Sequence, residues 1–221
     1  MNGIIQFLKE LEVNNQRDWF EANRSRYEKT RNDFLDLTAW LIDEIRKFDS
    51  EVPLLQPKDC MFRIFRDVRF SNDKRPFKTN YGSYIARGGR KFGYAGYYLH
   101  VQPGEYFLSG GVYMPPPEHL QAIRQEIYYH PEGYLNLLMK EPMKSTFDQF
   151  YFDPLKTAPK GYPKDWEHLD LIKNRSYAFG HHLAEEELFA ADFPEKCIRI
   201  FKIIYPMNRF LNRAIDDNVP E

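Results

Sequence analysis

From residue 4 to residue 48 the apolar side chains recur at threes, fours and sevens, and from residue 60 onward they recur at twos. A chain that changes period in this way combines helices with strands, because 3.6-residue spacing makes an apolar stripe on a helix and two-residue spacing makes an apolar face on a strand. Ile4, Ile5, Leu8 and Leu11 predict a first helix that stops at Asn14-Asn15. Asn15, three residues before Asp18, is expected to cap the next helix and place an acid in its first turn. Trp19, Tyr27, Phe34, Leu37, Leu41, Ile45 and Phe48 continue the stripe, with a break expected near Asn23.

The alternation of Cys60, Phe62, Ile64, Val68 and Phe70 with polar neighbours predicts a strand over residues 60–70, and a second is expected at 81–86. Two more, at 97–101 and 106–109, flank Gln102-Pro103-Gly104-Glu105, where Pro then Gly suits the centre of a type II turn. Paired about that turn, Tyr97, Leu99, Val101, Tyr106 and Leu108 share one face, which is expected to lie on helices. Pro115-Pro116-Pro117 should open a helix with Leu120, Ile123 and Ile127 on its apolar side. Five prolines over residues 131–163 predict short helices and long loops. A strand is expected at 176–183, then a helical region over 185–216 that starts near Pro194 and is kinked or broken at Pro206. The expected fold is α+β, an antiparallel β meander packed against N-terminal and C-terminal helices, in a single domain over residues 1–221.

Composition sharpens the functional question. The chain has 221 residues with 31 Lys plus Arg against 32 Asp plus Glu, a total that excludes a generally basic nucleic-acid coat protein. Residues 63–91, however, hold nine basic groups and two acidic ones, a local balance of 9 - 2 = +7, so the remainder carries -8. Such asymmetry suits an anionic partner. No stretch reaches the roughly 18 to 20 apolar residues of a membrane span. Two distant cysteines, Cys60 and Cys197, and a start without a secretory pattern lead us to expect a cytoplasmic protein.

The positive charge is densest over residues 63–81, RIFRDVRFSNDKRPFKTNY. On an extended backbone Arg63, Asp67 and Arg69 project from one face and Arg66 from the other, among Ile64, Val68 and Phe70. An arginine on an apolar face needs a carboxylate or a ligand, since desolvating a lone charge costs several kcal/mol. Two accounts fit. Asp67, or an N-terminal acid such as Asp18 or Glu21, forms an internal ion pair that orders the loop. Alternatively, Arg63, Arg66, Asp67, Arg69, Lys74 and Lys78 gather around a small anionic group, most simply a phosphate, which guanidinium forks and ammonium groups bind well. Were there catalysis, Asp67 or Asp73 would be the base and Lys74 or Lys78 an electrostatic stabiliser; whether the chain is an enzyme stays open.

The same residues carry a resemblance. Arg63, Arg66, Asp67, Arg69, Phe70, Asp73, Lys74 and Pro76 resemble the signature of a mainly bacterial family called domain of unknown function 2461, with Phe77 where that family commonly has Tyr. Residues 14–20, NNQRDWF, resemble its opening, and Phe210-Leu211-Asn212-Arg213 its end, so the similarity extends over nearly the whole chain. The resemblance implies no particular activity, and Phe77 argues against a required phenol at that position.

Other motifs point to less. His181 and His182 fall on opposite faces of a strand, which is poor geometry for joint metal ligation, and the six scattered histidines and two cysteines have no zinc spacing. His100, opposite the expected core face and near Phe107, is a candidate to face the same ligand as the basic block. Gly88-Gly89-Arg90 and Gly110-Gly111 read as turns. Tyr81, Tyr84, Tyr94, Tyr97 and Tyr98 leave single-stranded nucleic acid as an alternative partner through base stacking. No cofactor and no metal is indicated.

Overall fold

The structure, a computed structural model, describes residues 1–150 and 153–219, without the side chains of Gln149 and Phe150. Its helices are α1 (Asn2–Val13), α2 (Arg17–Ala22), α3 (Arg24–Arg46), α4 (Pro57–Cys60), α5 (Pro117–Tyr129), α6 (Pro131–Met139), α7 (Met143–Thr146), α8 (Leu169–Ile172) and α9 (Phe193–Asn218). The strands β1 (Tyr81–Ala86), β2 (Gly96–Gln102), β3 (Glu105–Val112), β4 (Asp148–Phe150) and β5 (Tyr177–His182) form one sheet in the order β1-β2-β3-β5-β4. The fold is α+β, with an antiparallel sheet and helices from both ends of the chain.

By their internal contacts the residues fall into two compact units. The first comprises Met1–Ile85, Tyr98–Leu108 and His182–Ile198, and the second Ala86–Tyr97, Ser109–His181 and Arg199–Glu221.

In the first unit Phe7 of α1 packs on Trp19 and Phe20 of α2 and on Tyr27 of α3, at ring separations of 5.9, 6.5 and 6.1 Å. The sheet meets these helices at Tyr81, whose ring lies 5.4 Å from Phe34 and whose hydroxyl is 3.0 Å from the Thr30 hydroxyl. The helix break falls at Asn23, as the pattern predicts. Asn15 does not cap α2. Gln16 holds that position and Asn15 is committed elsewhere, as described below. Cys60 and Cys197 are both fully buried and are not joined in a disulfide.

In the second unit α9 fastens backbone with two asparagines. Asn208 accepts from the Gly111 N–H at 2.7 Å and donates to the Gly96 carbonyl at 3.0 Å, and Asn212 exchanges bonds of 2.7 and 3.1 Å with the N–H and carbonyl of Ala95. Tyr97 of β2 meets Phe201 edge-on at 5.3 Å. Gly111 is indispensable here: its φ is +96°, and a Cβ would stand 1.9 Å from the Tyr177 carbonyl oxygen. Pro206 lies inside α9, which is continuous from Phe193 to Asn218, so of the expected kink or break, the break does not occur. β4 was not predicted, because three residues are too few to show alternation; it pairs with β5 through Asp148↔Gly180, Gln149↔Phe179 and Phe150↔Ala178.

The β2–β3 hairpin follows expectation. Tyr97, Leu99, Val101, Tyr106 and Leu108 are all buried, and Gly104 takes the left-handed φ of +80° that the third residue of a type II turn requires. No helix among the described residues is long and apolar enough to cross a membrane.

Candidate functional site

The chain leaves α4 at Cys60 and reaches β1 at Tyr81 through an irregular segment rather than the expected strand. Only Met61 and Phe65 form bridges, to Ser83 and Phe77. Two short arms are tied by the Lys78 N–H to the Ile64 carbonyl at 2.7 Å and the Arg66 N–H to the Pro76 carbonyl at 3.0 Å. Pro76 has no N–H to return, so the ladder stops there and residues 67–75 project as a loop. The alternation that predicted a strand ends with it: Ile64 is buried, whereas Phe70 is 96% exposed at the far end of the loop.

The base of the loop is fixed to the N-terminal helices. Asn15 Nδ2 donates to the Phe77 carbonyl at 3.0 Å while its Oδ1 accepts from the Phe77 N–H at 3.1 Å. This amide reads the backbone as a neighbouring strand would. Phe20 stacks on the Phe77 ring at 4.0 Å with an angle of 12° between planes, and Phe65 closes the group at 5.5 Å from Phe77. The phenyl of Phe77 is therefore a packing anchor.

On this base sits a charge network. Arg66, whose side chain is 23% exposed, donates from Nη1 to Asp73 at 2.5 Å and from Nη2 to Ser71 at 3.4 Å. Arg75 holds the same carboxylate through Nη2 at 2.7 Å, and Arg69 holds Asp67 at 2.7 Å. Lys74 Nζ donates to the Val68 carbonyl at 3.1 Å. The carboxylate that answers Arg66 is thus Asp73, neither Asp67 nor the N-terminal acids; Glu21 pairs with Arg24 in its own neighbourhood. Hydrogen bonds from Arg75 first and Arg66 second hold the Asp73 carboxyl far below the usual carboxylate range, and Arg69 holds Asp67 below it. Carboxylates so held stay ionised and are weak bases, better suited to orienting guanidinium groups than to taking a proton.

Arg87, Arg90 and Lys91 belong to the second unit. There Arg87 is engaged by Asp216 and lies 3.9 Å over the Tyr94 ring. Within residues 63–78, six basic groups face two acidic ones, a surplus of 6 - 2 = +4. Glu12 of α1 lies within electrostatic reach of Arg75.

The His100 ring stacks on Phe107 at 4.6 Å and its Nδ1 is 2.9 Å from the Tyr98 hydroxyl. Tyr98 in turn meets Phe62 at 6.0 Å, and the Lys78 ammonium is 5.5 Å from the Phe62 ring centre. Contacts thus run from the basic segment to His100. Of the tyrosines considered for base stacking, Tyr81 and Tyr97 are buried against helices and are not available. His181 and His182 do diverge, the first to the Thr146 carbonyl and the second toward Phe107.

Two features leave little trace in the spacing of the sequence. The backbone-clamping roles of Asn15, Asn208 and Asn212 have no periodic signature. Arg124 is buried on α5, and its spacing of four from Leu120 and three from Ile127 already placed it beside the apolar stripe.

The family model described as conserved hypothetical protein (DUF2461) matches residues 3–210. No curated protein and no solved structure matches the chain.

Proposed function

The chain belongs to the DUF2461 family of conserved hypothetical proteins, and on that premise we propose that the loop of residues 63–78 binds a small phosphate-bearing ligand. The observation that carries this reading is the surplus of four positive charges on a loop whose two carboxylates are already held by Arg69, Arg66 and Arg75. Asp67 and Asp73 orient guanidinium groups without neutralising the loop. Arg63, Arg66, Arg69, Lys74 and Lys78 supply the donors, and an oxoanion with several acceptor oxygens matches them better than any neutral group.

The test is a titration of the full chain with inorganic phosphate and pyrophosphate, followed by the amide shifts of residues 63–78. Saturable shifts are expected, and R66A/R69A should weaken them at least tenfold. Saturation unaltered in that double variant would end the proposal.

A second reading has one observation in its favour: Phe70 is almost fully exposed, with the Arg69 guanidinium 5.9 Å from its ring centre. An exposed ring beside cations suits stacking on a base of single-stranded nucleic acid. Affinity for a short oligonucleotide would then fall steeply with salt through counterion release. Affinity independent of salt rejects it.

A further inference from the structure

We infer that Arg124, in the second unit, is the centre of a separate phosphate-binding site. Among the described residues Arg124 is the one lysine or arginine that is buried, at 9% exposure. Its Nη2 donates to the Asn174 carbonyl at 2.9 Å, and its Nε, shielded from solvent, donates to nothing. The Tyr177 hydroxyl stands where it accepts from the guanidinium, Tyr162 lies within its electrostatic reach, both phenols are neutral, and no carboxylate among the described residues pairs with it. Arg87 in the same unit shows the usual arrangement, with Asp216 gripping its guanidinium. A guanidinium cannot shed its proton, and a buried charge without a counter-ion costs several kcal/mol. An anion supplied from outside offsets that cost.

The surrounding groups specify which anion. Gln121 Nε2 donates to the Tyr162 hydroxyl at 3.0 Å, so the oxygen accepts and its own proton is available to a ligand. Arg124 and Tyr162 together are donors for an oxoanion. Asn174 is buried as well; its Nδ2 donates to the Leu171 carbonyl at 3.2 Å, while its Oδ1 is an enclosed acceptor with no donor. A ligand that satisfies both kinds of group carries acceptor oxygens and one hydroxyl. Hydrogen phosphate does; sulfate and carboxylates at neutral pH lack the proton. Nε and Oδ1 are closed to solvent, so on this inference phosphate binding requires a local opening between α5 and the segment 160–176, which Gln121 and Arg124 tie to that helix. Trp166, 4.9 Å from Tyr128 of α5, lies on that segment and would report such an opening.

The experiment titrates the full chain with inorganic phosphate and, at equal ionic strength, with sulfate, following tryptophan fluorescence and the melting temperature. Expected are a saturable change that W166F removes, an affinity for phosphate at least tenfold above that for sulfate, and a rise of about 3–6 °C per tenfold phosphate beyond half-saturation. R124Q should abolish the response, whereas R66A/R69A should retain it, which separates this site from the loop of residues 63–78. No saturable response in the wild-type chain, equal responses to phosphate and sulfate, or a response that survives R124Q overturns the inference. Should R124Q fail to fold, Y162F removes one donor and keeps the ring; it should weaken phosphate binding several-fold, and unchanged affinity also overturns the inference.

Discussion

Asn15 and Phe77, 62 residues apart, exchange two hydrogen bonds, with the amide of one reading the backbone N–H and carbonyl of the other. Asn15→Ala leaves both backbone groups without partners beside a buried ring, so it should cost about 2–3 kcal/mol in urea unfolding. Asn15→Asp sets a carboxylate against the carbonyl and should be no better. Wild-type stability in either variant would show that the clamp does not hold the loop.

Asp73 gives a pH signature. Its folded carboxyl is held below the ordinary range by Arg75 and Arg66, so as pH falls the unfolded chain takes up the proton first. The associated stability is complete above about pH 4 and is lost as pH falls below that. Urea midpoints of the wild type should therefore drop more steeply than those of Asp73→Asn between pH 4 and pH 2. Parallel curves would contradict the network.

His100 acts in a higher window. Burial disfavours its imidazolium and lowers its pKa from the ordinary 6.5. The unfolded chain therefore protonates first, and stability present above about pH 6.5 declines as pH falls below it. His100→Gln should flatten that decline, as measured by unfolding midpoints from pH 8 to pH 5. An identical slope in the variant would place the decline elsewhere.

Phe70 separates the two readings of the loop. Its ring is 96% exposed, so Phe70→Ala should change stability by no more than about 0.5 kcal/mol. Affinity for inorganic phosphate should be unchanged. Affinity for an oligonucleotide should fall by about 1–3 kcal/mol if a base stacks there. A large stability loss would mean that the ring is packed.

Gly111 tolerates no side chain. With φ at +96° and a Cβ placed 1.9 Å from the Tyr177 carbonyl oxygen, Gly111→Ala should cost about 3 kcal/mol or more, or prevent folding. A variant that melts within a few degrees of the wild type would refute this.

Much of the architecture was legible from spacing. The helix break at Asn23, the strand beginning at Tyr81 and the buried face shared by Tyr97, Leu99, Val101, Tyr106 and Leu108 each follow from periodicity, because burial on one face imposes it. The segment over 60–70 misled for a physical reason: Ile64 and Phe70 fit one alternation, but only pairing fixes a face, and Pro76 ends the pairing after Arg66. The basic block was visible as composition; the choice of Asp73 over Asp67 for Arg66 was not, since it depends on how residues 67–75 turn. Asn15, Asn208 and Asn212 recognise backbone, which is the same at every residue, and so leave no pattern to read.

Cys60 is the last residue of α4, fully buried just where the chain departs toward the loop, and Cys197 is equally buried at the start of α9. A thiol reagent reacts with either only when its surroundings open, so the rate of alkylation times those openings. The chain thus carries two native clocks. Ligand capture at the loop should slow the Cys60 clock more than that of Cys197, without any probe having been added to the protein.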